Sequence, residues 1–207
     1  MKIVAAFIVF ATFFASCKTD VKHLPFYNTS DFTPHFLNDV PDDYHHIRNF
    51  NVTAQTGKSV TEKAMNGKIC VADFFFTTCP GICPRLTTNM KLLQDSFLTD
   101  DKVLLLSYSV TPDKDSVAVL KRYAGEHQVN DKRWLLLTGN KNEIYDLGRK
   151  YFFVEEDLGE KRDTSEFLHT ENFVLVDGKR RIRGIYNGLN LSSVKNLVRD
   201  IKELEQE

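Results

Sequence analysis

The chain has 207 residues, 42% hydrophobic and 27% charged, the balance of a folded globule of one domain plus tails rather than of a disordered segment. Lys and Arg total 27 against 28 Asp and Glu, a formal charge of -1, which excludes a nucleic-acid binder working through an overall basic field. The four cysteines are too few for a disulfide scaffold, and a chain of this length can be held by core burial alone.

Residues 1–16 read as an export signal: Lys2, then an apolar run of about 14 residues ending in small side chains, short of the roughly 20 that span a bilayer. The ending Phe14-Ala15-Ser16-Cys17 resembles a bacterial lipobox, in which the cysteine is diacylated and becomes the new N-terminus; Phe14 stands where Leu is usual. The alternative is an ordinary signal peptide, with Cys17 an incidental thiol. Either way the mature chain is exported to a compartment where thiols oxidise. Lipidation at Cys17 makes it a membrane-anchored lipoprotein facing the periplasm or the cell exterior. Residues 17–44, with Pro25, Pro34 and Pro41, read as an extended tether. Its segments LPFYN and DFTPHF carry enough aromatics to dock on the domain, which occupies residues 45–207.

Within the domain, IRNFNVTAQTGKSVT predicts a hairpin turning near Thr56-Gly57. Residues 68–77, KICVADFFFT, form a nearly continuous apolar run, as in a strand buried on both faces; Asp73 is its oddity and requires a polar partner. Leu86, Met90, Leu93 and Phe97 fall on one face of a helix. A second buried strand (103–110) follows, then a helix over 115–126 with Val119, Leu120 and Tyr123 inward, and a third strand (134–139). Asn140 and Glu143 have capping-box spacing. Asp177-Gly178 marks a late β-hairpin between 172–176 and 181–186. Ser192 is the expected cap of a last helix, with Val194, Leu197, Val198, Ile201 and Leu204 along one side. The order hairpin, three β-α units, hairpin, helix predicts an α/β fold with a central mixed sheet flanked by helices, the thioredoxin-like arrangement.

TTCPGICP places Cys79 and Cys83 where the first long strand gives way to the first helix, with Pro84 suited to the first helical turn. A helix N-terminus offers unpaired N–H groups and a positive dipole end, so a thiolate there is stabilised. One helix-like turn brings both sulfurs toward one point, where they can bond to each other or share a metal. The bland alternative is a pair of inert thiols or a stabilising disulfide, but closing so short a loop removes little unfolded-state entropy. Cys70, inside a buried strand, reads as a small core residue. Thioredoxin-type enzymes use two intervening residues and a cis-proline before a late strand. Here three residues intervene and the prolines lie at 25, 34, 41, 80, 84 and 112. Peroxiredoxin fits poorly too, since Phe76 stands where its Thr is expected.

Among six histidines, His23, His35, His45, His46 and His127 read as solvated surface residues. His169 differs, because it ends the polar loop just ahead of a strand whose start lies beside the cysteine turn in this topology. The three side chains make an S,S,N set. Soft thiolates select Cu(I), and an added imidazole also suits Cu(II); zinc wants a fourth ligand that the domain does not offer.

FFFTTCPGICP, SYSVTPDKDS and FLHTENFVLVD together resemble the Sco/SenC family, thioredoxin-like copper-binding proteins that help assemble the binuclear copper centre of cytochrome c oxidase. The resemblance implies copper ligation by Cys79, Cys83 and His169, a domain tethered outside the energy-transducing membrane, and reduction of the client's cysteines. The client is then the copper-centre subunit of cytochrome c oxidase or another copper or thiol protein. This chain departs from the pattern in its lipid anchor and in Asp73 and Phe75, where many members have an aromatic and Gly. The family also has members in redox defence, so a metal-independent thiol-disulfide reductase is the alternative. The acidic stretch EEDLGEKRD, ahead of His169, reads as a solvated loop placed to move that ligand, or as a docking surface.

Overall fold

The computed structural model describes residues 23–155, 168 and 170–207. Cys17 with its signal and lipidation reading, the acidic stretch past Glu155 and His169 lie outside the described residues. Along the chain come β1 (Asn51–Ala54), β2 (Ser59–Thr61), a 3-10 turn (Glu62–Met65), β3 (Ile69–Phe75), α1 (Cys83–Ser96), β4 (Val103–Ser109) and α2 (Val117–Glu126). Then follow β5 (Trp134–Thr138), α3 (Lys141–Asp146), a π-helical turn (Leu147–Tyr151), β6 (Asn172–Val176), β7 (Ile182–Asn187) and α4 (Leu191–Leu204). Among the described residues no helix is long and apolar enough to cross a membrane.

The strands form one mixed sheet in the order β2-β1-β5-β4-β3-β6-β7. Its centre, β5-β4-β3, is parallel, and the remaining pairs are antiparallel. Parallel strands need crossover connections, and α1 and α2 supply them. This is the expected thioredoxin-like architecture. Every residue of β3 and β4 is buried, which explains why their sequences read as continuous apolar runs.

Alternation along β3 splits the core in two. Cys70, Ala72 and Phe74 face α3 and the π-helical turn, packing with Tyr108, Tyr145 and Phe152. Ile69, Val71 and Phe75 face the other way, onto Leu86, Met90 and Leu93 of α1, Leu120 of α2 and Leu197 and Ile201 of α4. The cysteine turn lies at the edge of this second layer.

Three local expectations are corrected. Val119 of α2 is only half-buried, and the inward stripe is Leu120, Tyr123 and Ala124. Asn140 accepts from the Glu143 N–H at 3.1 Å, but Glu143 does not reach back; its carboxylate takes the Asn51 N–H at 3.1 Å and so ties α3 to β1. The cap of α4 is Asn190, which accepts from Ser192 and Ser193, so Ser192 lies within the helix. In the late hairpin the positive φ (66°) falls on Arg180, not on Gly178. The turn Asp177–Arg180 and the Asp177 N–H to Arg181 carbonyl bond make a three-residue loop.

The N-terminal segment docks. Leu24 and Phe26 are buried, and Tyr27 bonds to Ile182 beside β7. Buried Arg183 donates to the Leu24 carbonyl (2.7 Å) and to Glu207 (2.5 Å), with its guanidinium 4.0 Å from the Phe26 ring centroid. From DFTPHF, Phe32 packs on the core while Phe36 stays 69% exposed.

Gly178 is needed for space. A Cβ there meets the Gly67 Cα at 2.9 Å, and the Gly67 N–H donates to the Gly178 carbonyl at 3.0 Å. Gly178→Ala is therefore expected to cost about 1–3 kcal/mol as overpacking against backbone, read as a lower urea midpoint with unchanged slope. Lys179→Ala at the neighbouring exposed position is expected to stay within about 0.5 kcal/mol.

Candidate metal centre

β3 carries the chain to Phe75, whose carbonyl accepts the Val110 N–H at 2.9 Å. The chain then turns through 76–82, and α1 starts at Cys83 with Pro84 in its first turn. The expectation of one continuous helix-like turn through both cysteines is corrected: Cys79 sits ahead of the helix, and the turn folds it back over the helix mouth. Ile82 is the N-cap and provides no side-chain cap bond; its carbonyl takes the Arg85 and Leu86 N–H groups, Pro84 has none, and the Cys83 N–H is left for another acceptor.

That acceptor is the Cys79 sulfur. Burial works against its ionisation, but the Cys83 thiol and the backbone N–H groups of Cys83, Gly81 and Ile82 bond to it and hold its pKa below the ordinary thiol value. Cys83 moves the opposite way: burial first, then its hydrogen bond to Cys79, push its thiol up to about 12. Both are free thiols, within hydrogen-bonding reach of each other. The pair thus holds a half-buried, ionisable sulfur over a buried, protonated one. Cys70, also free, has no part in it; burial pushes its thiol to about 12 inside β3, as a core residue requires.

A cavity of about 290 Å³ opens beside the two sulfurs. Its walls include Phe74, Phe76, Val110 and Leu168, with Thr170 on the rim. Leu168 and Thr170 are the chain neighbours of His169, so the start of the late strand reaches the cysteine turn, as the topology predicted. Two soft sulfur donors fit a soft cation such as copper. Among the described residues no three His, Cys, Asp or Glu side chains gather into a metal-holding group.

The other histidines separate. His46 is exposed. His45 is a correction: its ring is half-buried, bonds to the Tyr151 carbonyl at 2.9 Å and stacks on Phe153 at 4.2 Å. His127 packs at 4.2 Å on Tyr123.

Asp73 lies under the start of α1 with the polar partner it requires. The Ser107 hydroxyl donates to its carboxylate and accepts the Trp134 indole N–H at 2.8 Å. The sequence places Asp115 only at the start of a helix. It is instead fully buried and takes hydrogen bonds from Thr77, Ser109 and Thr111. The signal available was the cluster of hydroxyl residues around it in SYSVTPDKD.

Burial pushes the Asp73 carboxyl up to about 7, against the Ser107 bond that lowers it. Folded Asp73 therefore keeps a proton that the unfolded chain releases near pH 4, and this group makes stability fall as pH rises from about 4 to 7. Asp73→Asn is expected to remove that fall, on the order of 2–4 kcal/mol between pH 4.5 and 8. Denaturant titrations at both pH values test this, and equal pH dependence in the two proteins would refute it.

The SCO1/SenC family model matches residues 38–206. The chain is 30% identical over 160 residues to the "SCO1 protein homolog" of Bacillus subtilis (strain 168), covering 75% of this chain and 81% of that one. It is similar to a SCO1/SenC family lipoprotein from Bacillus anthracis str. Ames at TM-score 0.66 and 30% identity, with 78% of this chain and 95% of that chain covered. It is also similar to Arabidopsis thaliana ScoI, solved with copper bound, at TM-score 0.58 and 26% identity over 75% of this chain and 98% of that one.

Proposed function

The chain belongs to the SCO1/SenC family, and from that premise we propose that it is a membrane-tethered copper chaperone whose ligands are Cys79, Cys83 and His169. Its cargo is Cu(I) or Cu(II), and its client is the copper-centre subunit of cytochrome c oxidase, the role the family resemblance implies. The carrying observation is the Cys79 sulfur, held ionisable by the N–H groups of Cys83, Gly81 and Ile82 with the Cys83 thiol against it. Support for His169 as the third ligand comes from its chain neighbours, Leu168 and Thr170, which line the same cavity as the two cysteines. The copper carried by the Arabidopsis relative and the lipoprotein nature of the Bacillus anthracis relative support the cargo and an anchor at Cys17. Residues 1–16 then act as signal, 17–44 as tether and 45–207 as the working domain, exported to the periplasmic or outer face.

Ligand exchange and redox state are coupled in this scheme. Cu(I) takes both sulfurs as thiolates, so the Cys83 proton leaves on binding. Oxidation of the pair to a disulfide, with a client disulfide as the two-electron acceptor, removes the remaining Cys83 proton and leaves no thiolate to offer the metal.

A second reading, a metal-independent thiol-disulfide reductase, is favoured by the asymmetry of the pair. The Cys79 thiolate attacks a client disulfide and forms a mixed disulfide, releasing one client thiolate. Cys83 then loses its proton and displaces the second, leaving the client as a dithiol and the pair oxidised.

Metal analysis of the reduced protein is expected to give one copper per chain. Cys79→Ser and Cys83→Ser are each expected to weaken binding by more than about a hundredfold, and His169→Ala by more than about tenfold, with loss of Cu(II)–sulfur charge-transfer absorption. Unchanged affinity in His169→Ala removes that residue from the site. Full function of the same variant in oxidase-dependent growth favours the reductase.

A further inference from the structure

We infer that Asp115 is a positioning residue for Cys79, its buried carboxylate gripping Thr77 and so holding the cysteine turn in place at the mouth of α1. The inference rests on the proposed use of Cys79 as ligand and nucleophile. Asp115 is 0% exposed and follows the tip of the β4–α2 connection. One oxygen accepts the Thr77 hydroxyl at 2.5 Å. The other accepts the Thr77 N–H at 3.2 Å, the Ser109 hydroxyl at 2.6 Å and the Thr111 hydroxyl at 3.1 Å.

Two of these four bonds therefore go to Thr77, just ahead of Cys79, and two to the end of β4. Phe75 and Ser109 are partners in the parallel β3–β4 ladder, so both turns leave the sheet at the same edge. The carboxylate links one to the other. Burying a carboxylate is costly unless its lone pairs are satisfied, and here the donors come from the very turns that have to be held. Helix capping does not account for it, because the N-cap of α2 is Ser116, whose side chain accepts from Val119. The Cys79 turn has no side-chain cap of its own at Ile82, so its shape depends on what grips it from outside.

An Asn at 115 keeps the shape but replaces one acceptor oxygen by an N–H donor facing donors, so the bonds on that oxygen are lost. The test is the alkylation rate of Cys79 at pH 7 in the reduced protein, followed by peptide mapping, beside Cu(I) competition titrations and thermal unfolding. Asp115→Asn is expected to slow Cys79 alkylation about fivefold to tenfold, the size of one lost net hydrogen bond, and to weaken Cu(I) binding similarly. Thr77→Val is expected to act in the same direction, with Thr77→Ser restoring the rate. Ser109→Ala, which removes a donor away from the cysteine turn, is expected to lower the melting temperature and leave the rate unchanged. Should Asp115→Asn fail to fold, the Thr77 pair decides. An unchanged rate in folded Asp115→Asn, or an equal slowing in Ser109→Ala, overturns the inference. Absence of copper binding by the unaltered protein, with the rate effects intact, overturns the copper reading alone.

Discussion

The centre depends on one arrangement: a helix that begins without a side-chain cap, and a sulfur placed at its mouth to face the N–H groups of Gly81, Ile82 and Cys83. At Ile82 no side chain caps α1, and the Cys79 sulfur takes the Cys83 N–H that is left over. A thiolate is a better acceptor than a thiol, so N–H groups aimed at the sulfur favour its ionisation. The rest of the molecule serves to hold that geometry. Fully buried β3 and β4 fix the exit point, and α1 is locked by Leu86, Met90 and Leu93 against the sheet.

The two cysteines are chemically unequal because their surroundings are. Cys83 is the first residue of the helix and buried in the α1 layer, so its ionisation is opposed; Cys79 is half-exposed and bonded by N–H groups, so its ionisation is favoured. An unequal pair suits both uses proposed for it. One sulfur is ready to bind or attack, and the other contributes only once a metal or a mixed disulfide compensates for its lost proton. The cavity beside them is walled mainly by apolar side chains, among them Phe74, Phe76, Val110 and Leu168.

Much of the fold was legible from pattern. The apolar runs at β3 and β4 read as buried strands because a parallel strand is covered on both faces, and the four-three-four spacing of α1 gave its inner face directly. What went astray depended on which of several adequate groups a given N–H finds. Asn190 and Ser192 are both good caps, and only the path of the chain out of β7 selects Asn190. Glu143 had the right spacing to close a capping box, yet β1 offered it the Asn51 N–H instead. Asp177-Gly178 located the late hairpin, but Gly67 packs so close to Gly178 that this glycine serves for space, while Arg180 takes the positive φ.

From sequence alone came the family, the architecture and the cysteine pair at the strand-to-helix turn, because hydrophobic period and a cysteine pair between strand and helix are local signals. Tertiary structure decided which cysteine ionises more readily, since that follows from the N–H groups around Cys79 and from unequal burial. It also decided that Asp115 grips Thr77 across a gap of 38 positions, and that Asp73 finds Ser107 on the neighbouring strand. These are contacts between elements, and no spacing along the chain encodes them, because the sheet's strand order rather than the chain's own sequence sets who meets whom.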